Sequence, residues 1–89
     1  MTFARNTAYA EEVVSRYGDR LGEYLETFTS DTGQVSAEFF KKKDKLVAYV
    51  TYADDVTWQS VTDKYVVALR QRAEELGFGH SFQIIYAGM

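Results

Sequence analysis

Phe39 and Phe40 stand side by side within Gln34 to Lys42, a stretch whose content reads as a β-strand. Neighbouring side chains on a strand leave on opposite faces, so any sheet containing this strand carries a phenylalanine on each side. Lys45 to Ala53 reads as a second strand of the same kind. Leu46, Ala48, Val50 and Tyr52 fall on one side of it, and Val47, Tyr49 and Thr51 on the other. A third strand, Ser81 to Ala87, sets Phe82, Ile84 and Tyr86 against Ile85 and Ala87. A sheet with one wet face alternates apolar and polar residues, and these strands do not.

Three arrangements would account for that. The first helix covers the second face, or the apolar groups there are scattered and harmless. The sheet face or its edge joins two copies of the chain, as in a homodimer. Or the face receives a different protein, since interface cores are enriched in aromatic residues.

Helical spacing marks two further segments. From about Thr7 to Phe28 the residues Ala10, Val13, Val14, Tyr17, Leu21, Tyr24, Leu25 and Phe28 form one stripe. Glu12 and Arg16 sit in the favourable i, i+4 order. Gly18 and Gly22 weaken this helix and imply a close neighbour or a bend, and Asp31-Thr32-Gly33 reads as the turn that stops it. Trp58, Val61, Tyr65, Ala68, Leu69, Ala73 and Leu76 mark a second helix, with Asp54-Asp55 able to cap its start and Gly77 its end. The order α-β-β-α-β, with the second helix as a right-handed crossover, predicts an α+β two-layer sandwich. Its three-stranded, mainly antiparallel sheet would carry both helices on one face.

Eighty-nine residues form a single domain, 1–89, with one core to build and nothing to staple it, since the chain has no cysteine. Cysteine's absence also removes thiolate metal sites and thiol nucleophiles, and it fits a reducing cytoplasm. The N-terminal residues lack the pattern of a signal peptide, and no apolar run approaches the ~18 residues that span a bilayer. The expectation is a soluble, cytoplasmic protein with no membrane partner. A net charge of −3 argues against a dedicated nucleic-acid binder.

Few groups here suggest chemistry. His80 is the one histidine, between Gly79 and the third strand, and no motif surrounds it. Asp54-Asp55 reads as a helix cap, since adjacent carboxylates point apart and Ca²⁺ wants about six to eight oxygen ligands. No metal or cofactor is expected. The single basic cluster is Lys41, Lys42, Lys43 and Lys45, at the turn joining the first two strands, which makes this hairpin the one net-positive stretch of the chain.

These readings converge on a small non-enzymatic module that binds another protein. Phe40, Tyr49 and Tyr52 would be its aromatic anchors, and either Lys41, Lys42, Lys43 and Lys45 or the acidic face of the first helix (Glu11, Glu12, Asp19, Glu23 and Glu26) would orient the partner. One version is an inhibitor that occludes a partner's surface, as phage antagonists of host or defence proteins do. Two alternatives come from other classes. The lysine-rich hairpin could hold single-stranded nucleic acid, stacking bases on Phe40 and Tyr49. Or His80 and tyrosines could line an enzyme or small-ligand pocket.

Overall fold

A computed structural model describes residues 2–4, 7–30, 35–52, 58–79 and 81–86, with side chains described for 11–30, 35–52, 64–79 and 81–86. Expectations for Asp31-Thr32-Gly33, Asp54-Asp55 and His80 lie outside the described residues. The elements run β1 (Thr2–Ala4), α1 (Thr7–Leu21), β2 (Glu23–Thr29), β3 (Val35–Lys42), β4 (Lys45–Tyr52), α2 (Trp58–Glu75) and β5 (Phe82–Tyr86). The strands form one mixed sheet in the order β1-β2-β3-β4-β5. Pairing is antiparallel from β1 through β4, and β5 lies parallel to β4 after the α2 crossover. The class is α+β as expected, but the sheet has five strands instead of three.

The larger departure concerns the helices. Leu69 and Ala73 of α2 pack with Phe28, Val35, Ala37, Phe39, Leu46, Ala48 and Val50. Val13 and Leu21 of α1 pack with Phe40 and Val47, which point the other way from the same strands. The two helices therefore cover opposite faces and make three layers, and the expectation of a two-layer sandwich with both on one face is corrected. Phe39 and Phe40 are both fully buried, each under its own helix. Among the described residues, the large apolar side chains standing in solvent are Val14 and Val67, and neither is aromatic. The aromatic surplus goes largely into building two cores. That is the first of the three arrangements: α1 covers the second face.

Local chemistry explains where the helices end. Gly22 has φ 109°, and its amide donates to the Gly18 carbonyl at 2.8 Å, closing α1. A Cβ on Gly22 would overlap the carbonyl oxygen of Lys41, so only glycine lets the chain reverse this close to β3. The α1 stripe accordingly stops at Leu21, and the residues expected to continue the helix form β2. Leu25 is the extra residue of a bulge in the β2–β3 pairing between Tyr24 and Glu26. At the other helix the cap falls where expected. Gly77 has φ 91°, its amide bonds the Glu74 carbonyl, and the Phe78 amide bonds that of Ala73, which is the Schellman pattern.

Side-chain ties complete the frame. Arg72 of α2 forks onto Glu26 of β2 with bonds of 2.5 and 2.9 Å, and its Nη1 reaches Glu75 at 3.0 Å. The Glu12–Arg16 pair forms at 3.3 Å on the exposed side of α1. No described helix is long and apolar enough to cross a membrane.

Candidate functional site: a basic concavity under the β3–β4 hairpin

The β3–β4 hairpin closes through a two-residue turn, with Lys42 and Lys45 as the last paired residues. Lys43 takes the first turn position at φ 58°, a left-handed conformation that costs a residue with a side chain roughly 1–2 kcal/mol. Alternation then sorts the lysines. Lys42 and Lys45 lie on the α1 face of the sheet with Phe40 and Val47, while Lys41 lies on the α2 face opposite Leu46.

The close approach at Gly22 brings the end of α1 to the same corner. The Lys42 ammonium donates to the Arg20 carbonyl at 3.0 Å, capping the helix where its dipole favours a cation. Beneath the tip opens a concavity of about 370 Å³ lined by Arg20, Leu21, Lys42, Lys43, Asp44, Lys45, Val47, Gln83 and Ile85. Leu21 and Val47 are buried and Ile85 half-buried, so they make an apolar floor. Arg20, Lys42, Lys43 and Lys45 are exposed, so among the described residues the rim carries four cations against the one carboxylate of Asp44. Such a shape attracts anionic groups and, once they are held, offers apolar area below them.

Of the residues expected to bind a partner, Lys42, Lys43 and Lys45 meet here. Lys41 is exposed on the other face. Phe40 is fully buried beneath α1, so as an exposed anchor it is corrected: the helix that the sequence extended across Tyr24 instead folds back over it. Tyr49 is half-buried, with its ring stacked on Tyr17 at 5.0 Å between centroids. Tyr52 is half-buried at the far end of β4, about 23 Å from Lys45 at strand rise, and packs on the α2-side core. Arg20, Leu21, Val47, Gln83 and Ile85 were not expected in the site. Val47 belongs to the hairpin itself; the turn at Gly22 brings Arg20 and Leu21 to it, and the parallel placement of β5 brings Gln83 and Ile85.

A second feature sits on the α1 face, farther from the tip. Glu38 is fully buried, and one of its oxygens accepts a hydrogen bond from the Ser36 hydroxyl at 2.9 Å. The other, Oε1, has no hydrogen-bond partner among the described residues. Burial, offset in part by the Ser36 bond, pushes the carboxyl from 4.5 up to about 7. Beside it on β2, Thr27 is buried and shares a 2.6 Å hydrogen bond with the Tyr24 hydroxyl. Glu38 opposes Tyr49 across the β3–β4 ladder. A carboxyl amid apolar strand residues was a signal available in the sequence. Among the described residues no cluster of three or more His, Cys, Asp or Glu could hold a metal.

Comparison with known proteins found no matching family model, no matching curated protein and no matching solved structure.

Proposed function

We propose that this protein is a non-enzymatic binding module that docks another protein through the concavity beneath the β3–β4 hairpin. The observation that carries the reading is the pairing of four rim cations with an apolar floor, in a chain whose net charge is −3. Positive potential concentrated at one corner of a mildly acidic protein orients an acidic partner during encounter, and the floor then supplies contact area. Relative to the aromatic-face expectation, the contact moves from Phe40 and Tyr52 to the lysines and the floor. An inhibitor that covers a partner's working surface is the version of this reading that suits a chain of this size. A cytoplasmic setting accords with the lack of cysteine.

The test compares tagged wild-type protein with a Lys43→Glu/Lys45→Glu double variant in pull-downs from nuclease-treated lysate of the native source or its host at ~0.15 M salt. Both side chains are exposed, so the variant should fold normally. One stoichiometric protein retained by the wild type and lost by the variant is the expected result. Identical retention by both would remove the concavity from the binding surface. Loss of everything on nuclease treatment would transfer the hairpin to nucleic acid.

A further inference from the structure

We infer that the concavity takes an acidic peptide segment carrying one apolar side chain: the apolar group rests on Leu21, Val47 and Ile85, and flanking carboxylates meet Arg20, Lys43 and Lys45. This rests on the binding-module reading above and specifies its partner chemistry.

The size of the site points to a segment. At about 370 Å³ the hollow lies near the lower end of the roughly 300–1,000 Å³ typical of ligand pockets, room for a side chain and its neighbours. The distribution of polarity narrows the ligand further. Among the described residues, the floor offers no hydrogen-bonding side chain except Gln83 at its edge, next to Val47 in the β4–β5 register. A free phosphate or other small anion seated there would lose water over Leu21 and Ile85 with little to replace it. An extended segment avoids this penalty, because its carboxylates stay at the wet rim while its apolar group alone descends. The Gln83 amide, exposed and able both to donate and to accept, is placed to bond the segment's backbone.

Single-stranded nucleic acid fits less well. Its binding platforms combine cations with rings on which bases stack. Among the described residues the lining contains no aromatic side chain, and Tyr49, on the same face, is stacked on Tyr17.

Fluorescence anisotropy on the full chain at ~0.05 M salt tests this with three labelled probes. They are the peptide Asp-Glu-Leu-Glu-Asp, the same peptide with glycine replacing leucine, and a thymidine decamer; unlabelled inorganic phosphate serves as competitor. The leucine peptide should bind saturably, and the glycine peptide about tenfold more weakly, the worth of burying one such side chain. Lys43→Glu/Lys45→Glu should weaken the leucine peptide at least about tenfold, with an unchanged circular dichroism melt. Equal binding of the two peptides, tighter binding of the decamer, or displacement by phosphate at equal concentration would each overturn the inference. So would a dimer of the chain that the double variant disperses, since a second copy would then occupy the concavity. Should neither peptide bind while the pull-down still retains a Lys43/Lys45-dependent protein, the peptide chemistry fails and the module reading stands. Failure of both experiments removes both.

Discussion

The ring of Tyr17 on α1 lies stacked against the ring of Tyr49 on β4, with centroids 5.0 Å apart and planes 29° from parallel. This contact reaches across β3, because α1 itself sits mainly over β2 and β3. It turns an aromatic residue of the second sheet face inward and completes the shell around Phe40, Val47 and Val13. The α1 face is therefore a second core, and the solvent-facing opportunity moves to its corner, where α1 ends and the lysines begin.

Phe40 should behave as a core residue. With no exposed area, its truncation in Phe40→Ala removes about 3–5 kcal/mol of stability, a large part of a small domain's total. Urea unfolding followed by circular dichroism measures the loss. A cost below ~1 kcal/mol would mean that α1 does not cover this face in solution.

Glu38 should make the protein less stable as pH rises through neutrality. Its carboxyl titrates near 4.5 when unfolded and near 7 when folded, so the fold favours the protonated acid. Below pH ~4.5 this group costs nothing. Stability then falls as pH climbs toward 7, and above 7 the full penalty applies, about 3 kcal/mol at 1.36 kcal/mol per unit. Glu38→Gln should therefore stabilise at pH 8 by about 1–3 kcal/mol and change little at pH 4.5. Urea midpoints for both proteins at the two pH values make the comparison. An equal difference at both would remove ionisation as the cause.

Gly22 should tolerate no side chain. Gly22→Ala meets both the φ of 109° and the Lys41 carbonyl, a combined cost of about 3 kcal/mol. For a domain of this size the melting temperature should fall on the order of 10–20 °C. Gly77→Ala has a strained φ but nothing within 4 Å of the added carbon, so its loss should be the smaller of the two.

Lys43 should separate stability from binding. Lys43→Gly relieves the left-handed strain at φ 58° and raises stability by roughly 0.5 kcal/mol after the extra freedom of unfolded glycine is counted. The same change removes a rim cation and should weaken an acidic ligand. Thermal melts and peptide anisotropy on one sample read both effects, and a rise in affinity would show that this lysine opposes binding.

The hairpin, α2 and β5 were legible nearly to the residue. Val35–Lys42, Lys45–Tyr52 and Phe82–Tyr86 fall within one residue of the expected strand ends, and Gly77 caps α2 as expected. Each of these carries a local signal: runs of β-forming residues around a short turn, or helical periodicity ending at a glycine. Of the candidate site, the lysine cluster was legible for the same reason. Its floor was not, because Leu21, Val47 and Ile85 come from three separated elements.

The segment from Leu21 to Phe28 shows where sequence stops deciding. Leu21, Tyr24, Leu25 and Phe28 have helical spacing, and nothing local contradicts a helix except Gly22. In the fold Tyr24 turns to the α1 face, whereas Leu25 and Phe28 pack on the α2 side, an arrangement the bulge at Leu25 makes possible. The sequence alone determined that both sheet faces are apolar, since adjacent Phe39 and Phe40 must diverge. Only tertiary structure decided what covers each face. A strand edge beside β3 offered Glu23–Thr29 a ladder of hydrogen bonds, broken at the Leu25 bulge, and the left-handed turn at Gly22 let α1 fold back to bury Phe40.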